Sequence, residues 1–168
     1  FEKVASASFL WVNGQEVGYN EGAQEPAEYD ITPYLKKGRN TLAMLVVKYS
    51  DGYYLEGQDY WRLAGIFDDV YVYATPRTRL FDWYVTTDLD EQYRDAELNV
   101  QTTVRRYDGA TETEGLRVKA QLKDGQGKLV AEMESPAGGF SADAQTMELS
   151  MAHHIDNPLK WTSETPDT

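Results

Sequence analysis

The chain has 168 residues, no cysteine and a formal net charge of −12. That length accommodates one large domain or two small β domains, each with its own core, and the missing thiols exclude disulfides and thiolate metal sites. The acidity argues against a nucleic-acid backbone or an anionic membrane as partner.

No apolar run of about 18 residues is present, so no bilayer-spanning helix is expected. In chain order, ASASFLWV (5–12) is followed by Asn13-Gly14, a dipeptide that favours the type I′ turn of a tight hairpin, and QEVGYNEG (15–22) then returns. EYDITPYLKKG (28–38) carries a short helical signal, with Thr32 as N-cap, Pro33 at the first helical position and Gly38 past the end. RNTLAMLVVKY (39–49) is apolar on both faces at its centre and is expected to be a buried strand. SDGYYLEGQDYWRLAG (50–65) reads as a polar loop, and IFDDVYVYATP (66–76) as a further strand.

Beyond Ala74-Thr75-Pro76 the pattern becomes one-sided. Leu98, Val100, Thr102 and Val104 alternate with polar neighbours, as do Leu116, Val118, Ala120 and Leu122. Such period-two alternation marks half-buried strands. KDGQGK (123–128) joins the second run to LVAEME (129–134) as a hairpin, SPAGGFSADAQ is a loop, and TMELSMA (146–152) is another strand. The pattern predicts an all-β chain with an immunoglobulin-like sandwich beginning near Arg77. Long helices, internal repeats and low-complexity segments are absent, and a (β/α)₈ barrel of typically 250 residues does not fit.

Candidate chemistry is sparse. His153 and His154 are adjacent and point to opposite faces of a strand, so the two rings cannot easily share one metal. No G-x-S-x-G elbow supports a hydrolytic triad, and no Gly-rich phosphate loop precedes a helix. Asp68 and Asp69 read as structural, one facing solvent and one pairing with an Arg at the sheet edge. Trp11, Trp61, Tyr53, Tyr54 and Tyr60 could form a sugar-stacking surface, but aromatic residues in sandwiches are more often core. What calls for explanation is the cluster Glu56, Gln58, Asp59, Trp61 and Arg62 on the approach to a strand, since loops on rigid β scaffolds often carry function.

FLWVNGQEVGYNEG, PAEYDIT, GRNTLAMLVVKYSDGYYLEGQDYWRLAGIFDDVYV and IDNPLKWTSETP together resemble the β-galactosidases of glycoside hydrolase family 2. The stretch from Tyr49 to Phe67 is the most specific part of that resemblance. Gly57, Asp68 and Ala27 depart from it, standing where an acidic residue, an Arg and a Ser are common. The resemblance implies that residues 1–76 are the C-terminal part of a jelly-roll sugar-binding domain. It implies that residues 77–168 are an immunoglobulin-like sandwich lacking its last hairpin. Both ends are accordingly expected to be cut from a longer chain, with no catalytic residue here and the two catalytic glutamates in a barrel outside it. In such enzymes the aspartate matching Asp59 helps hold a bound sodium ion and contacts the galactose. Glu56, Gln58, Trp61 and Arg62 would then shape its loop. Sodium, with magnesium as a second candidate, belongs to the full-length parent, and no cofactor is expected in this chain alone. The implied partners are a galactoside substrate and further copies of the protein, without nucleic acid or membrane, and the compartment stays open between bacterial cytoplasm and periplasm. The alternative is a self-standing carbohydrate-binding or adhesion module.

Overall fold

A computed structural model describes residues 1–56, 59 and 61–166. The chain divides into two compact units, Phe1–Tyr73 and Ala74–Thr168.

In the first unit, β1 (Val4–Ala5) leads into β2 (Ala7–Val12), which turns through Asn13-Gly14 into β3 (Gln15–Asn20). Asn13 and Gly14 both adopt positive φ, 53° and 82°, as a type I′ turn requires. The Asn13 side chain also ties the turn to its surroundings: its amide donates to Tyr34 O and Asn40 Oδ1, and its Oδ1 accepts from Thr41 N. Along β2, Ser8, Leu10 and Val12 are buried on one face while Phe9 and Trp11 are half-buried on the other. Phe9 packs there between Trp11 and Tyr19, at ring-centre distances of 6.0 and 4.8 Å. β4 (Leu42–Val47) pairs with the other side of β2, giving the order β3-β2-β4.

Three expectations for this unit are corrected. The helical signal yields only one 3-10 turn, Thr32–Tyr34, with Ile31 rather than Thr32 at the cap position. Asp30 Oδ1 accepts from Thr32 N at 2.9 Å, two residues on, as an Asx turn leading into the 3-10 turn, which itself has no side-chain cap. β4 is not buried; as an edge strand paired only with β2 it leaves Leu42 and Leu45 43% and 54% exposed. The strand expected over Ile66–Pro76 is limited to β5 (Gly65–Ile66), paired with β1. Extended pairing continues only through Phe67 N to Lys3 O and Glu2 N to Asp69 O. β propensity favours an extended backbone, but a ladder needs a partner, and β1 is two residues long.

The second unit holds a three-stranded antiparallel sheet of order β10-β7-β6 and a β8-β9 hairpin. These are β6 (Thr78–Leu89), β7 (Ala96–Arg106), β8 (Lys119–Lys123), β9 (Leu129–Glu134) and β10 (Thr146–Ile155). Along β7, Ala96, Leu98, Val100, Thr102 and Val104 are buried in strict alternation, as the sequence pattern predicts. Leu98, Val100, Met133 and Met151 form the core cluster, with Val118, Ala120, Leu122 and Ile155 packed against it. The core thus sits between the β7–β10 face and the β8-β9 hairpin, as in a sandwich. Thr102 satisfies its buried hydroxyl by donating to Leu149 O at 2.8 Å. Gly138 lies so close to Leu149 that an added Cβ would meet its Cδ2 at 2.5 Å. β6 is the strand that periodicity misses: its register shifts between Leu80 and Asp82, and both its faces are exposed from Leu80 to Leu89, so no inward face marks it.

Candidate functional site

The polar stretch after β4 is not a plain loop. Ser50 caps a short helix, α1 (Asp51–Leu55), by accepting from Tyr53 N at 3.3 Å, and Asp51 lies in its first turn. Ser50 followed by an acidic residue is the signal in the sequence that could have located it. Two further contacts fix α1 to the sheet. Ser50 Oγ and Ser6 Oγ are 2.8 Å apart, and Gly52 N donates to Glu21 Oε1 at 3.1 Å. Gly52 is buried, and a Cβ there would come within 3.2 Å of Glu21 Cγ, so any other residue would make the Glu21 side chain shift. Glu21 also accepts from the Tyr19 hydroxyl at 2.6 Å. That hydroxyl is the largest cause of a Glu21 pKa lowered to about 2, followed by the Asp51 carboxyl and the Gly52 amide. The same contact pushes the Tyr19 pKa up to about 12.

What α1 leads into is exposed. Asp59 lies in a turn and is exposed, as are Glu56 and Arg62, while Trp61 is 83% exposed. Gln58, Tyr60 and Gly57 lie outside the described residues. Arg62 carries its guanidinium 5.1 Å above the Tyr53 ring, and Tyr53 meets Tyr49 and Tyr54 edge-on. The core assignment of the aromatic residues therefore fails for Trp61 and Tyr54, and Trp11 is half-buried on the face of β2. Beside α1 opens a cleft of about 260 Å³ lined by Ser6, Tyr53, Glu56, Trp61, Arg62 and Phe67, among others. It combines aromatic walls with a carboxylate and a guanidinium, the chemistry of a site for a small polar molecule with apolar faces, as a sugar is. Asp59 is not among the residues lining it. Asp68 and Asp69 are both exposed; Asp68 Oδ1 accepts from Asp69 N at 2.9 Å, and neither carboxylate joins an ion pair with an Arg among the described residues.

In the second unit, His154 Nδ1 lies 2.7 Å from Glu97 Oε1 and its Nε2 lies 3.4 Å from Asp156 Oδ1. Asp95 completes the group, accepting from Asn157 N at 3.0 Å and pairing with Arg94 at 3.1 Å. The Asn157 amide, first, holds the Asp95 carboxyl below its usual range. The adjacent pair His153-His154, the only histidines of the sequence, does not by itself point to this group. The informative spacing is His154-x-Asp156, which sets a carboxylate just past the end of β10 beside the ring of its penultimate residue.

Each of the two units is built almost entirely from antiparallel β-strands, the first with a short helix and an exposed polar stretch, and the class they define is all-β, with sheets of the β-sandwich kind. Residues 1–76 match the family described as Glycosyl hydrolases family 2, sugar binding domain, and residues 78–168 match Glycosyl hydrolases family 2. The chain belongs to glycosyl hydrolases family 2. It is 40% identical over 167 residues to a β-galactosidase of Priestia megaterium (strain DSM 319 / IMG 1521), covering 99% of this chain. It is also 40% identical over 175 residues to a β-galactosidase of Yersinia pestis bv. Antiqua (strain Angola), again over 99% of this chain. In each case the chain spans 16% of the relative's length. Among solved structures, Bacteroides uniformis β-glucuronidase 2, covalently bound to cyclophellitol-6-carboxylate aziridine, matches with a TM-score of 0.83 at 23% identity. That match covers 99% of this chain and 20% of the other. A putative β-galactosidase from Bacteroides fragilis matches with a TM-score of 0.74 at 18% identity, covering 94% of this chain and 24% of the other. These likenesses establish the fold.

Proposed function

We propose that this chain is a non-catalytic portion of a β-galactosidase, a retaining hydrolase of terminal β-D-galactosides, whose catalytic barrel lies elsewhere in a longer protein. On this reading residues 1–76 are the C-terminal part of the jelly-roll sugar-binding domain and residues 77–168 its immunoglobulin-like neighbour. The whole-chain identity of 40% to β-galactosidases supports the substrate class. The observation that carries the site is the exposed Asp59 on a loop anchored by α1 to the sheet. A carboxylate accepts strongly from sugar hydroxyls, and its hard oxygens suit a sodium ion. Asp59 offers one such ligand, and among the described residues no group of three His, Asp or Glu side chains includes it. The rest of a sodium shell, and any magnesium site, would therefore draw on the longer protein. When bound, the ion supplies positive charge that orients a hydroxyl of the substrate.

The chemistry itself needs a general acid and a nucleophile about 5–5.5 Å apart. This chain supports that pair and does not contain it. Asp59→Asn in the full-length protein tests the proposal. The expected outcome is a loss of about 10- to 150-fold in kcat/KM, corresponding to one hydrogen bond to a charged group of roughly 1.5–3 kcal/mol, with a weakened response to sodium. Unchanged kinetics and sodium response would reduce Asp59 to a loop residue.

The cleft walled by Trp61 and Tyr53 favours one second reading, a self-standing carbohydrate-binding module. Saturable binding of galactosides by the isolated chain, lost in Trp61→Ala, would favour it.

A further inference from the structure

His154 on β10 stands directly opposite Glu97 on β7. In the tautomer whose Nδ1–H donates to Glu97 at 2.7 Å, Nε2 carries a lone pair 3.4 Å from Asp156 Oδ1, with the Asp95 carboxylate in the same group. One donor atom from each of the three residues lies within 4.8 Å of the others. A lone pair and two carboxylates that converge repel each other unless a positive charge, either a proton on Nε2 or a bound cation, lies between them. The 3.4 Å from Nε2 to Asp156 Oδ1 is long for a hydrogen bond. It is close to the separation of two ligands, each about 2.0–2.1 Å from one tetrahedral ion. Asp95 is already ordered by the Asn157 amide and by Arg94, and each of its oxygens keeps a second lone pair. Carboxylate-bound histidine is also the arrangement that orients metal-ligating imidazoles in general.

We propose that this corner of the second unit binds one divalent transition cation of the Zn²⁺ type, through His154 Nε2 and one oxygen each from Asp95 and Asp156. Glu97 is a positioning residue that holds the ring. One imidazole with two carboxylates suits Zn²⁺ better than Mg²⁺ or Ca²⁺, which take oxygen ligands almost exclusively. The ion cross-links the start of β7, the end of β10 and the following turn, so its role is structural.

The competing occupant is a proton on Nε2, and calorimetric titration of the full chain with ZnCl₂ after treatment with chelator separates the two. One saturating equivalent of Zn²⁺, far weaker binding of MgCl₂ and CaCl₂, and a raised melting temperature are expected. Glu97→Gln should weaken Zn²⁺ binding about 10- to 100-fold. His154→Gln and Asp156→Asn should each weaken it at least as much, whereas His153→Gln, on the opposite face, should leave it unchanged. Substituting Co²⁺ should give the visible absorption of a tetrahedral nitrogen–oxygen site. Should His154→Gln fail to fold, the exposed Asp156→Asn decides. Absence of saturable Zn²⁺ binding, equal binding of Mg²⁺, or binding that Asp156→Asn leaves intact would overturn the proposal.

Discussion

Glu21, just past the end of β3, accepts from the Tyr19 hydroxyl and the Gly52 amide and so holds α1. Its folded pKa is lowered from the ordinary 4.5 to about 2, so its contribution to stability is fully present above pH 4.5 and is lost as pH falls through about 2. The difference in melting temperature between wild type and Glu21→Gln should therefore be constant near neutral pH and shrink across that acid window. Because Tyr19 is about half exposed and Glu21 only partly buried, solvent screens the contact and the effect should be small. A difference that instead grew toward acid would mean that another carboxylate holds the helix. The partner gives an independent readout: Tyr19 should ionise near 12 in the wild type and closer to the ordinary 10.0 in Glu21→Gln, measured by ultraviolet titration.

Elements in this molecule depend on single caps and single close approaches. Ser50→Ala removes the α1 cap and the contact with Ser6, and should cost about 1 kcal/mol while raising hydrogen exchange over residues 51–56. Gly138→Ala would push a methyl into Leu149, an overpacking that typically costs about 1–3 kcal/mol by denaturant unfolding. In the core cluster, Met133→Ala should cost about 2–5 kcal/mol, the range for deleting a buried long side chain. If Met133→Ala costs less than Gly138→Ala, the space between β9 and the β7–β10 face collapses more readily than a packed core should.

For the whole molecule the expectations concern catalysis and association. The isolated chain should release no product from a chromogenic β-galactoside, because no acid–nucleophile pair is expected within it. Release that tracks protein concentration through further purification would contradict this. β4 and β6 leave Leu45, Trp83, Tyr84 and Val85 about half exposed or more on edge strands. Such edges and apolar faces favour pairing between chains. Light scattering coupled to chromatography should show dimers or larger species growing with concentration, and a monomer at every concentration would contradict it.

By itself the sequence determined the all-β class, the Asn13-Gly14 hairpin and the inward face of β7, because turn dipeptides and period-two alternation are local signals. The exposure of β4 was not legible, since burial depends on which strands pair with it. β6 escaped because both its faces stay exposed from Leu80 to Leu89, which leaves no alternation to recognise. The LEGQDYW cluster stood out in the sequence as polar chemistry without a structural reason. Tertiary structure alone decided that α1 is anchored through Ser6 and Glu21, residues 44 and 31 positions away from their partners. Likewise, Asp95, Glu97, His154 and Asp156 are brought together only by the β7–β10 register, which joins residues far apart in the chain and has no signature in a window along it.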